Sequence, residues 1–175
     1  DIMKNNPDLR KRITPYFEDT SKSNALDILI KKYEDTQVTS RLSRRYFELI
    51  YGKENCVRCD IDNYGNEDLS QAEIVRNTKE YMTNPNIKVI FEGQIEYDDL
   101  RARFDVMIRQ EDGSFTLIEV KGTNNVFNTN DEGIDSCIKE KYLYDLLFQY
   151  HIYSKHGIPM SSIGYLYLNK DFKYS

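Results

Sequence analysis

The sequence predicts a mixed α/β domain, a sheet flanked by helices, with a helical extension at its N-terminal end. Three observations lead there. Residues 87–121 read as three successive strands, the last two joined by a short loop with a turn dipeptide. Residues 68–82 and 138–156 carry helical signals, one before that run of strands and one after it. Residues 162–168 read as one strand more, so the core follows the order α-β-β-β-α-β.

The extension, residues 1–64, reads as helices. Ser23–Tyr33 carries Ala25, Leu26, Ile28, Leu29 and Ile30; Ser40–Tyr51 carries Leu42, Tyr46, Phe47, Leu49 and Ile50. It is expected to pack on the core or roof its cleft. Residues 60–67 form a polar linker, and residues 65–175 are assigned to the core domain. The first core helix has Ser70 as N-cap, Glu73 in the capping-box position and Asn84-Pro85 beyond its end. Ile87–Tyr97 is the next strand, and Asp98-Asp99 turns into its successor.

Strict alternation along Leu100–Ile108 sets Leu100, Ala102, Phe104, Val106 and Ile108 on one face, with Arg101, Arg103, Asp105 and Met107 on the other. The Gln110–Ser114 loop contains Asp112-Gly113, whose glycine supplies the positive φ of a tight hairpin. In the following strand Leu117, Glu119 and Lys121 share a face opposite Ile118 and Val120. Residues 122–136 form an Asn/Gly/Thr-rich loop expected to be mobile and to touch substrate. The 138–156 helix ends at Gly157 and Pro159, with Leu143, Leu146, Leu147, Tyr150 and Ile152 expected on its packed side.

The hairpin brings Asp105 close to Glu119 and Lys121. Two carboxylates beside a lysine can hold a hard divalent cation and polarise a water, which is the apparatus of phosphodiester hydrolysis. Desolvating such charges is costly unless they are paired or bind metal. A Glu–Lys pair on the solvated side of an edge strand is the plainer alternative. Gln149 and Tyr153 lie four apart and so reach one point in space; the plainer view makes them a solvated residue and one of 14 tyrosines.

The string Phe104-Asp105, thirteen residues, then Glu119-Val120-Lys121, followed by Gln149-x-x-x-Tyr153, resembles the PD-(D/E)XK nuclease superfamily. It is most similar to the RecB-type exonuclease branch, with its CRISPR-associated and other bacterial members, and the likeness covers about residues 65–170. The resemblance implies a restriction-endonuclease-like core and a Mg²⁺- or Mn²⁺-dependent nuclease, a hydrolase acting on DNA in repair, recombination or defence. It implies that Asp105, Glu119 and the Val120 carbonyl hold the metal. Lys121, its pKa lowered by the cation, orients or deprotonates the attacking water, and Gln149 and Tyr153 stand beside the site as neutral donors. The family often adds an acid from the first helix; Glu73 is the candidate, with its capping role as rival, and Glu80 or Glu92 as substitutes. Phe104 stands where the superfamily name has proline. A catalytically silent nucleic-acid-binding or scaffold module of the same fold, and a nuclease acting on RNA, are the alternatives.

The formal charge of −5 is unlike most nucleic-acid binders, which are basic, so a local basic stripe is required. Candidates are Lys4, Arg10, Lys11 and Arg12; Lys31 and Lys32; Arg41, Arg44 and Arg45; and Arg101 and Arg103, each of which can equally be a solvated or acid-paired group. The expected partner is DNA, as a single strand or a duplex end. Three cysteines are too few for a disulfide framework, and Cys56-Val57-Arg58-Cys59 with Cys137 falls one ligand short of a zinc or iron–sulfur site. His151 and His156 are given core or surface roles. Nothing resembles a Ser-His-Asp set or a Gly-rich phosphate loop. The absence of an apolar run of about 18 residues and of a signal peptide points to a cytoplasmic protein without a membrane partner. The start at Asp1 suggests a fragment of a longer protein with further domains.

Overall fold

The Asp112-Gly113 turn closes as its composition requires. Gly113 adopts φ +84°, Asp112 Oδ1 accepts from the Ser114 N–H, and the Gln110 N–H donates to the Ser114 carbonyl at 2.8 Å. In the computed structural model, which describes residues 23–62, 64–123, 126–129 and 135–167, this turn joins two strands of a five-stranded mixed sheet. The chain divides into two units, Asp1–Arg41 and Leu42–Ser175. Helix α1 is continuous over Ser23–Tyr51, where the sequence suggested two helices.

The second unit carries β1 (Cys56–Arg58), α2 (Gln71–Thr83), β2 (Val89–Tyr97), β3 (Leu100–Arg109), β4 (Phe115–Lys121), a small ribbon β5 (Phe127–Thr129) and β6 (Asp135–Ile138), α3 (Glu140–Lys155) and β7 (Met160–Tyr167). The sheet order is β1-β2-β3-β4-β7; β1–β2 and β4–β7 are parallel, and the two pairs between them antiparallel. A mixed α/β fold is therefore what the chain adopts, with the α-β-β-β-α-β order from α2 to β7 interrupted only by the ribbon. The boundary near residue 64 does not hold. Cys56–Arg58, assigned to the extension, pairs with Val89–Phe91 and belongs to the sheet.

Helix α2 forms where its cap places it. The Glu73 N–H donates to Ser70 Oγ, and the Ser70 N–H donates back to Glu73 Oε2 at 2.8 Å, completing the capping box. One face of the sheet packs Ile90, Ile95, Ala102, Phe104, Met107 and Leu117 against Ile74 of α2 and Leu146, Ile152 and Tyr153 of α3. The other packs Val89, Phe91, Val106 and Ile108 against Phe47 and Tyr51 near the end of α1. Gly93 faces Phe104 so closely that a Cβ there would stand 2.2 Å from the ring; only glycine lets this pair form.

Three expectations are corrected. Ala102 and Phe104 lie on one face but Val106 and Ile108 on the other, so the alternation of β3 switches at Asp105. The β2–β3 register omits the Glu92/Asp105 pair, and Glu92 has φ +55°; this local break re-aims the side chains of both strands. On α3 the buried residues are Leu146, Gln149, Ile152 and Tyr153, while Leu143, Leu147 and Tyr150 are exposed. The inward face is the one whose polar groups find partners across the sheet. Residues 127–129 and 135–138 of the long loop form the β5–β6 ribbon, and Val126 is fully buried.

Candidate active site

The β3–β4 ladder runs from Arg109↔Phe115 to Val106↔Ile118 and stops there. Beyond it the Asp105 side chain takes over, its Oδ2 accepting the Val120 N–H at 2.7 Å. A carboxylate thus stands where a backbone acceptor would continue the sheet. On its other edge β4 continues in parallel with β7, pairing Glu119 with Tyr165 and Lys121 with Tyr167. The Glu119–Lys121 segment singled out by the sequence is therefore held between a wedge and a ladder.

Glu119 is gripped on both oxygens. Lys121 Nζ donates to Oε1 at 2.9 Å and Gln149 Nε2 to Oε2 at 2.9 Å. Gln149 Oε1 in turn accepts from the Tyr153 hydroxyl at 3.3 Å, and the Tyr153 ring stands edge-on to Phe104. Gln149 and Tyr153 are both buried. Because an ionised carboxylate can only accept, Glu119 fixes the Gln149 amide with its nitrogen inward, and Oε1 is left to accept from Tyr153. Lys121 Nζ also lies 3.8 Å from Asp145 Oδ2 and 5.3 Å from the centre of the Tyr142 ring.

The charges are out of balance. Burial first, then the negative charge of Glu119, pushes the Asp105 carboxyl up to about 7, against the pull of the Val120 N–H and Lys121. Burial also raises the Tyr153 phenol, with Glu119 and Asp105 adding to it, so this hydroxyl stays a neutral donor. Burial works against the Lys121 ammonium, but its bond to Glu119 and the charges of Glu119, Asp145 and Asp105 hold it above its ordinary value. The lowering expected of Lys121 belongs to a neighbouring cation; the chain's own carboxylates act the other way.

Asp105, Glu119, Val120, Lys121, Gln149 and Tyr153 are thus brought together. Glu73 is not: both its bonds go to Ser70, and it lines a separate polar cavity of about 410 Å³ with Glu80, Asp62, Asp68 and Arg76. Among the described residues no three His, Cys, Asp or Glu side chains form a metal-holding group. Of the three acids considered, Glu92 is the one whose charge acts on Asp105. Its carboxylate is engaged by Arg103 at 2.9 Å and Arg44 at 3.3 Å.

Asp145 and Tyr142 were missed, although Asp145, Gln149 and Tyr153 fall at i, i+4 and i+8 on one helix face. Arg101 pairs with Glu96 and Arg45 with Glu48, so these arginines balance acids. Lys4, Arg10, Lys11 and Arg12 lie outside the described residues, as do the side chains of Lys31 and Lys32. Burial raises the thiols of Cys56 to about 11 and Cys59 to about 12, which favours the protonated form of both. His151 and His156 are exposed on α3 and at its end. Among the described residues no helix is long and apolar enough to cross a membrane.

No family model matches the chain, and no curated protein or solved structure is significantly similar to it.

Proposed function

We propose that the chain is a metal-dependent nuclease of the PD-(D/E)XK, RecB-like kind, hydrolysing phosphodiester bonds of DNA. The observation that carries this reading is the Glu119 carboxylate, held by Lys121 on one oxygen and Gln149 on the other, beside an Asp105 whose ionisation Glu119 opposes. Two half-buried, mutually repelling carboxylates on adjoining strands suit a hard divalent cation, which needs only one or two carboxylates and keeps waters. Asp105 and Glu119 would hold Mg²⁺ or Mn²⁺, with the Val120 carbonyl between them. The bound ion would supply Lewis acidity at the scissile phosphate.

The remaining residues have distinct tasks. Lys121 presents an ammonium next to Glu119, placed to orient the attacking water and offset charge growing on the phosphoryl oxygens. Gln149 keeps Glu119 aimed, and Tyr153 keeps Gln149 aimed. Asp145 restrains Lys121 from the helix side.

The test is cleavage of end-labelled DNA by the 175-residue chain with magnesium or manganese, then with chelator. Cleavage that needs the cation and disappears in Asp105→Asn and Lys121→Ala is expected. Nucleic-acid binding without cleavage would favour the silent module, and cleavage confined to RNA the RNA nuclease.

A further inference from the structure

The strand beside the candidate site is lined with tyrosine, and its aromatic groups meet the site without belonging to its polar chain. Tyr165 and Tyr167 are the β7 partners of Glu119 and Lys121, so they stand directly beside these residues in the sheet. The Tyr167 ring packs edge-on against Phe127 of the β5–β6 ribbon, with centroids 6.1 Å apart, yet keeps 37% of its surface exposed. On the helix side the Tyr142 ring lies 6.2 Å from Tyr165, with Lys121 and Lys141 Nζ at 5.3 and 4.7 Å from its centre. Aromatic surface and positive charge thus alternate along one border of the site. The Tyr165 hydroxyl donates to the Tyr142 carbonyl, which ties this border to α3.

We infer that the substrate is bound as a single strand, with an unpaired base next to the scissile phosphate stacking on Tyr167, which Phe127 supports. The inference rests on the nuclease reading and names its substrate class. Within a duplex, neighbouring pairs cover the base faces and the grooves show only edges; along a single strand each unpaired base offers a face to an aromatic side chain. Ordinary sheet packing would account for tyrosines on an outer strand, since β-propensity favours them. It does not account for an exposed tyrosine beside the lysine of the site, steadied from a separate ribbon. Lys141, beside Tyr142, adds a cation along the same border.

The experiment measures binding of the 175-residue chain, in chelator, to three labelled DNAs of equal length: a single strand, a hairpin duplex and an abasic strand. The abasic strand keeps the phosphates and lacks the bases. The single strand is expected to bind about five- to a hundredfold more tightly than either of the others. Tyr167→Ala should remove that margin and Tyr167→Phe restore it, with circular dichroism showing both variants folded. Equal binding to all three DNAs, with chelator-sensitive cleavage intact, overturns stacking and leaves the nuclease reading standing. Absence of both binding and cleavage overturns both.

Discussion

Two clusters of acids, each mixing half-buried and exposed carboxylates, lie on neighbouring parts of the same sheet, and they are solved in opposite ways. At the β1–β2–β3 corner, Asp60, Glu67 and Glu92 meet Arg44, Arg58 and Arg103. Arg58 bonds Asp60 and Glu67 at 2.8 Å each, and Arg103 bonds Glu92 at 2.9 Å with Asp60 at 3.8 Å. Acid and base are matched one for one. At the β3–β4 wedge, Asp105, Glu119 and Asp145 share Lys121 alone among the described residues, and a neutral amide fills the other place on Glu119. The first cluster is complete within the chain. The second has a deficit of positive charge, which a bound cation or a transition-state partner would meet. Buried ion pairs are weak evidence for stability in general, so it is the imbalance that separates a site from a staple.

The largest effect that tests this contrast is on activity. Asp105→Asn keeps the acceptor for the Val120 N–H and removes the charge, so cleavage should fall by about 10²–10⁴ while the melting temperature holds or rises. Lys121→Ala should match it in rate. A loss of activity from the Arg58–Asp60 pair as large as from these would erase the distinction.

Next comes pH. The Asp105 carboxyl sits near 7 in the fold against 3.8 ordinarily, so between those values the folded protein holds a proton that the unfolded chain has released. Its stabilising contribution is whole below 3.8 and lost as pH rises through about 7. Chemical denaturation in chelator from pH 5 to 8 should show stability falling, and Asp105→Asn should flatten that slope. Manganese at a hundred times its dissociation constant should return about 2.7 kcal/mol at pH 8, and nothing in Asp105→Asn.

Breaking the balanced cluster should cost stability. Arg44→Ala leaves Glu92, 14% exposed, with Arg103 as its remaining bonded partner, a loss of about 1–3 kcal/mol by urea denaturation. Smallest is the capping box. Ser70→Ala should cost about 1 kcal/mol, and Glu73→Gln should leave the cleavage rate untouched; a large rate loss there would return Glu73 to the metal shell.

The order of elements in the core, the tight turn at Gly113 and the α2 cap were all readable in the chain, because each depends on neighbours within a few residues. So was the grouping of Glu119 with Lys121 and of Gln149 with Tyr153, which strand alternation and helical spacing set. What failed were the inferences about which face each side chain turns to the core. Alternation put Asp105 opposite Phe104 and Val106 alike, but the break facing Glu92 moved Val106 to the other face. Hydrophobicity turned Leu143 and Leu147 inward, yet Gln149 took that place because Glu119 and Tyr153 complete its hydrogen bonds.

By itself, then, the sequence determined the order of the core elements from α2 to β7 and which side chains fall together. Only the tertiary structure decided that Glu73 stands apart from Asp105 and Glu119, that Glu92 belongs to arginines, and that Asp105 closes a wedge in the sheet. Local geometry follows from torsions and nearby hydrogen bonds. The charge balance of a buried group depends on everything that surrounds it, including residues far away in the chain.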